Sequence, residues 1–236
     1  MEEDLNIQAE ESSYYEKLAN RTVKNFTRKG INAYFAPDRK QACAMVMEMI
    51  PEGAVVGTAD SMTLLQIGVF SALKKRGKNE ILNPFVRDET GKLVVDGEAR
   101  QEMMRKVFLS DVYVIGTNAV TLDGKLVNID GNGNRVAAMI YGPKKVIVVV
   151  GANKIVKNVE EAINRIKEVC APINATRHSL KHHRPEFSDL PCVKTGSCAD
   201  CNHTWRICRY TTIIEGVIEP RRGYLNVVLV GNRLGI

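Results

Sequence analysis

No apolar run in this 236-residue sequence approaches the roughly 20 residues that would cross a bilayer. The opening stretch, MEEDLNIQAEESS, is acidic and polar and lacks the cationic start and apolar centre of a secretory signal. A cytoplasmic chain is therefore expected. Aromatic residues make up only 6%, with Trp205 the single tryptophan, which leaves little for base stacking. No nucleic-acid-binding module is recognisable either, so nucleic acid is not an expected partner. There is no Rossmann fingerprint, and nicotinamide chemistry has no support. No glutamate lies between positions 118 and 135, where the chain's most distinctive loops fall.

What is present suits a globular α/β protein. Hydrophobic residues are 44% and charged residues 25%, and the length allows one full core. The formal net charge of +6 favours a small anionic ligand. Residues 1–12 read as a flexible acidic tail and residues 13–236 as a single domain. Helical spacing marks 14–28, 38–50, 64–75, 97–109 and 158–169. Short apolar runs at 31–36, 55–56, 81–85, 112–115, 146–150, 211–215 and 225–230 read as strands. A hairpin is expected at 119–121 and 126–129, turning at Asp123 and Gly124. Continuous apolar runs such as VYVI and VIVVV suit strands buried on both faces of a parallel sheet.

The candidate ligand residues fall where strands would end, which in open α/β sheets is where ligands sit. The first group follows the strand at 55–56 and comprises Thr58, Asp60, Ser61 and Thr63; a capped helix start there would favour an anion, although Asp60 or Ser61 also suits a purely structural cap. Asn83, Asn118 and Thr121 lie at further exits. The loop Asp130, Gly131, Asn132, Gly133, Asn134, Arg135 combines conformational freedom with a planar, permanently charged fork, and equally fits a tight turn before a helix. The basic stretch 171–190, with Arg177, His178, His182, His183 and Arg184, reads as an exposed loop or as an anion contact folding over the sheet. Cys43 and Cys170 fall on apolar helical faces and read as core.

Residues 190–210 differ in character. Cys192, Cys198, Cys201 and Cys208 place four thiols within seventeen residues, including a Cys-x-x-Cys pair. Four thiolates complete a tetrahedral zinc site or hold an iron–sulfur cluster, and His203 is a substitute ligand. The spacing matches neither a standard zinc ribbon nor a ferredoxin run, and a redox dithiol or buried inert thiols are the rival readings. Trp205 lies inside this segment as its expected packing anchor.

The stretch NAVTLDGKLVNIDGNGNRVAAMIYGPKKVIVVVGANKIV, positions 118–156, resembles the central signature of the LUD-domain proteins, named for lactate utilization. The likeness runs over most of 12–231. It implies a fold like that of ribose-5-phosphate isomerase, glucosamine-6-phosphate deaminase and CoA transferases: a mostly parallel sheet flanked by helices. It also implies work in or beside oxidation of lactate to pyruvate, alongside iron–sulfur partner subunits, with room for a homo-oligomer. The family's Gly-x-x-x-Ser-x-Thr stretch has a counterpart at 57–63, but Ala59 and Asp60 stand where glycines are often seen. The expected ligand is a hydroxy or keto acid, or a phosphate. The alternatives are a sugar-phosphate isomerase-like or CoA-transferase-like enzyme, or a non-catalytic binding module with structural zinc. The missing glutamate weighs against the transferase.

Overall fold

The computed structural model describes residues 7–236. Six parallel strands form the main sheet: β1 (Asn32–Ala36), β2 (Val56–Thr58), β3 (Ile81–Leu82), β4 (Val112–Gly116), β7 (Lys145–Gly151) and β10 (Leu225–Val230). Their spatial order is β1-β10-β7-β4-β2-β3. The most apolar strands are the central ones, as the continuous valine and isoleucine runs require. Because side chains alternate across a strand, each run divides between two cores. Tyr113, Ile115, Val146, Val148, Val227 and Leu229 pack against α1 (Gln8–Arg28), α5 (Gly97–Val107) and α6 (Asn134–Ile140). Val112, Val114, Ile147, Val149, Val228 and Val230 face α2 (Arg39–Met49), α3 (Met62–Ile67) and α4 (Val69–Arg76). Each fully buried Val or Ile contributes roughly 1.5–3 kcal/mol relative to exposure. The expected α/β architecture, a mostly parallel sheet flanked by helices, is what the chain adopts.

A second sheet was not anticipated as such, although its hairpin and the strand at 211–215 were. Strands β5 (Ala119–Thr121), β6 (Leu126–Asp130), β8 (Ile155–Val156) and β9 (Tyr210–Ile214) pair in the order β8-β5-β6-β9. The hairpin turns where expected. Gly124 has φ +80°, and a Cβ there would stand 2.7 Å from the Phe26 amide nitrogen, so the turn closes directly on α1. One face of this sheet covers α7 (Val159–Arg165) through Ala119, Val127, Ile129, Ala162 and Ile166.

Three segments depart from expectation. The helix expected at 64–75 is two helices, because Gly68 adopts φ +78° and turns the chain between α3 and α4. The helix at 158–169 does not stop. It passes through a π-helical turn, Ile166–Cys170, into α8 (Ala171–Leu180). The wider π turn lets the helix absorb Pro172, which lacks an amide hydrogen. Much of the supposed basic loop is therefore helix, followed by the short α9 (Pro191–Thr195). At the start, α1 begins at Gln8, so residues 8–12 of the expected tail are helical; residues 1–6 lie outside the described residues.

Candidate functional site

The carboxyl ends of β2, β4, β6 and β7 open into a cavity of about 480 Å³, within the range of small-molecule sites. Eight lining side chains are cationic: Arg87, Arg100, Arg135, Lys154, Arg177, Arg184, Arg206 and Arg209. Two are carboxylates, Asp60 and Asp130. Eight of the sequence candidates line it: Asp60, Ser61, Thr63, Asn118, Asp130, Asn132, Asn134 and Arg135. Three do not. Thr58 is sealed in the sheet, donating to the Val114 carbonyl at 2.8 Å. The Asn83 side chain accepts from the Phe85 amide, and Thr121 is engaged with Asp123 and the Lys125 amide in the hairpin turn.

The loop that looked most like a ligand cradle is a hydrogen-bonded frame. Arg135 donates to Asn128 Oδ1 at 2.6 Å, to Asn118 Oδ1 at 3.0 Å and to the Ile129 carbonyl at 3.1 Å. Asn128, wholly buried, also accepts from Thr117 Oγ1 and the Asn118 amide. Asp130 accepts from the Gly131 and Val136 amides. Thus the Arg135 fork is largely occupied by its own loop, and Gly133 at φ +83° lets the chain enter α6. At α3, Ser61 caps the Leu64 amide. Asp60 pairs with Arg177 at 2.7 Å.

The cations that sequence reading passed over differ from Arg135. Arg87 bonds the Gly91 carbonyl and Arg100 the Pro84 carbonyl, and neither is in an ion pair among the described residues. Burial lowers both guanidinium pKa values; the Asp60 carboxylate opposes this at Arg87, and neighbouring arginines lower both further. Arg184 stacks over Phe187 and Trp205. Trp205 lines the cavity but is 46% exposed, so it is a wall residue more than a packing anchor. His182 is buried beside His178, with Nδ1 atoms 3.2 Å apart. Burial pushes His182 down to about 4, helped by Arg87 and Arg177. Cys170 is buried, as its apolar helical face implied, and also borders the cavity; Arg165 Nη1 lies 2.7 Å from its sulfur.

The cysteine segment forms the cavity's far wall through residues 204–209. Among the described residues, no three His, Cys, Asp or Glu side chains group as a metal site. The four thiols are free and partly exposed, yet they are near neighbours. Burial raises the Cys192 thiol pKa, and Cys201, Cys208 and Cys198 raise it further. The Asp200 amide donates to Cys198 Sγ at 3.4 Å, and Asp200 takes the left-handed φ of +44°, so the Cys198–Cys201 turn curls an N–H towards sulfur.

A mostly parallel α/β domain with a cation-lined cavity at its strand ends is the class these features define. The LUD domain family model matches residues 19–230, and the chain belongs to that family, that of lactate-utilization-type proteins. A DUF162-family (that is, LUD-family) crystal structure from Deinococcus radiodurans is similar at TM-score 0.50 and 12% identity, covering 92% of this chain and 98% of that one. At that identity the likeness concerns the fold alone. Ribose 5-phosphate isomerase from Plasmodium falciparum aligns at TM-score 0.33 and 15% identity, over 51% of this chain and 52% of that one. The eIF2B delta subunit from Chaetomium thermophilum aligns at 0.30 and 18%, over 48% and 47%. This chain spans about half the length of those two. No curated protein matches the sequence.

Proposed function

We propose that this chain is the ligand-binding component of a lactate-utilization-type system, and that its strand-end cavity takes a small anionic hydroxy or keto acid or a phosphorylated relative. The observation that carries this reading is the charge imbalance of the lining, eight cations against two carboxylates. Coulomb repulsion among partly buried guanidiniums is relieved by an anion. Arg87 and Arg100 meet the anion, since both lack a carboxylate partner, while Arg135 and Asn118 keep the 130–135 loop in place. The cavity exceeds the size of a three-carbon acid, so larger phosphorylated acids and sugars belong in the test. Calorimetric titration with lactate, pyruvate and ribose 5-phosphate is expected to give binding by at least one. Arg100→Gln should weaken it about tenfold, the effect of losing one charge-assisted hydrogen bond. No binding by any of the three would remove this reading. Transferase chemistry gains nothing from the lining, whose two carboxylates are both aspartates already held by Arg177 or by loop amides.

The second part of the proposal concerns Cys192, Cys198, Cys201 and Cys208. Four thiols on one short segment and an amide turned to the Cys198 sulfur support a thiophilic metal, and these residues would hold zinc or an iron–sulfur cluster once the segment draws them together. Zinc would supply structural cross-linking; a cluster would supply one-electron transfer to a partner subunit. Metal analysis with a visible spectrum on anaerobically purified protein decides between them. Iron with sulfide indicates a cluster and zinc alone a structural site; neither metal sinks the claim.

A further inference from the structure

Lys154 ends the 3-10 turn Ala152–Lys154, which leaves the central strand β7 at its carboxyl end. It lines the cavity yet is only 5% exposed. Its Nζ donates to Thr63 Oγ1 at 3.3 Å and to the Thr117 carbonyl at 3.2 Å. Both partners are neutral, and among the described residues it makes no ion pair. The charged neighbours Arg165 and Arg135 oppose its protonation, and only the Cys170 thiol favours it. Burial, then those two guanidiniums, bring its pKa down to about 8. About a tenth of the amine is thus unprotonated at pH 7, far more than for an ordinary lysine, and this is the state in which a lysine is a nucleophile. Lysines with a purely structural role rarely tolerate such a position without a carboxylate.

We propose that Lys154 is the residue that bonds covalently to the ligand, condensing with the carbonyl carbon of a keto acid whose acid group rests on the cavity's arginines. The ligand class rests on the anion-binding reading above. The nitrogen lone pair forms the C–N bond, and the carbonyl π electrons move to oxygen. That oxygen then leaves as water with both amine protons, giving a neutral imine. No oxidant or reductant enters. Thr63 holds the nitrogen at the cavity floor, and the room around it is closely set. A Cβ at Gly235 would stand 2.6 Å from Nζ and 2.5 Å from Thr63 Oγ1.

The test is reductive trapping on the full chain: incubation with pyruvate and sodium borohydride, then peptide mapping by mass spectrometry. A pyruvate-derived adduct concentrated on Lys154, and reduced severalfold in Gly235→Ala, is the expected result. A parallel titration with formaldehyde and cyanoborohydride needs no anion site. It should methylate Lys154 with a midpoint near pH 8, ahead of the surface lysines. Pyruvate that binds calorimetrically without an adduct on Lys154 overturns the inference and leaves the anion site standing. If pyruvate does not bind, the formaldehyde profile decides: preferential labelling of Lys154 upholds a carbonyl-reactive amine, and unselective labelling overturns it. Mapping the unaltered chain keeps the test valid even if Gly235→Ala, at a φ of +66°, fails to fold.

Discussion

Asn128 illustrates how single side chains define this site from behind. Its Oδ1 accepts three hydrogen bonds, from Thr117, the Asn118 amide and Arg135, at zero exposure. Asn128→Ala takes the acceptor from the Asn118 amide and from one Arg135 nitrogen, while Thr117 keeps the Ala119 carbonyl, and a loss of about 2 kcal/mol in urea unfolding is expected. Arg135→Ala should cost about 2 kcal/mol by the same measurement, and an unchanged midpoint would contradict the framing role assigned here. His182 makes a pH-dependent contribution. Unfolded, its ring takes a proton near 6.5; folded, burial and the cations Arg87 and Arg177 delay this to about 4, with Asp60 opposing and His178 adjacent. The unfolded chain therefore binds more protons in that window. Stability is full above 6.5 and falls as pH drops towards 4. His182→Gln should flatten this limb in melting temperature against pH. Legibility at this scale was uneven. Asp130 and Arg135 drew notice through their glycine-rich setting, which revealed the place but not the bonding. Lys154 gave no signal, because a lysine after a strand reads as a solvated terminus.

Among the elements, those with the longest apolar runs were the ones the residues disclosed. VYVI and VIVVV could only be buried on both faces, and they became neighbouring β4 and β7. Elements defined by context stayed hidden. The pairing of β9 is one such feature: its run at 211–215 reads as a strand, but the edge it finds on β6 does not follow from that run. The helical spacing runs out at Val169, and only the π turn Ile166–Cys170 shows how the helix goes on past Pro172. Gly68 lies within a helical pattern and carries no visible sign that it breaks one. Gly68→Ala meets no steric neighbour but must keep φ +78°, so a cost of about 1 kcal/mol is expected. Gly124→Ala has the same dihedral problem and a backbone contact besides, and it should cost more. Equal losses on chemical denaturation would argue against the close approach of the hairpin to α1.

For the molecule as a whole, the cavity gathers residues from positions 59 to 236, which explains why only Arg135, Arg177 and Arg184 of its cationic lining were legible along the chain. Arg87 and Arg100 sit in an unremarkable polar stretch and a helix, and only folding brings them beside Arg184. Such a cavity should be stabilised by any suitable anion through mass action. Phosphate in the millimolar range is expected to raise the melting temperature. The rise should shrink in Arg87→Gln and weaken with added sodium chloride, as screening demands. A salt-insensitive rise would mean that the anion acts elsewhere.

The pairing of β6 with β9 has a consequence beyond architecture. Asp130 ends β6 at the cavity loop, and its register partner Tyr210 begins β9 two residues after Cys208. The Arg209 amide donates to the Asp130 carbonyl at 2.8 Å. One ladder thus joins the cysteine segment to the floor of the cavity, so occupancy at one end and thiol chemistry at the other share a thermodynamic cycle. Linkage is reciprocal. If a bound acid weakens metal binding by the thiols, then metal on the thiols must weaken the acid by the same factor, and the protein would read the two ligands as a single variable.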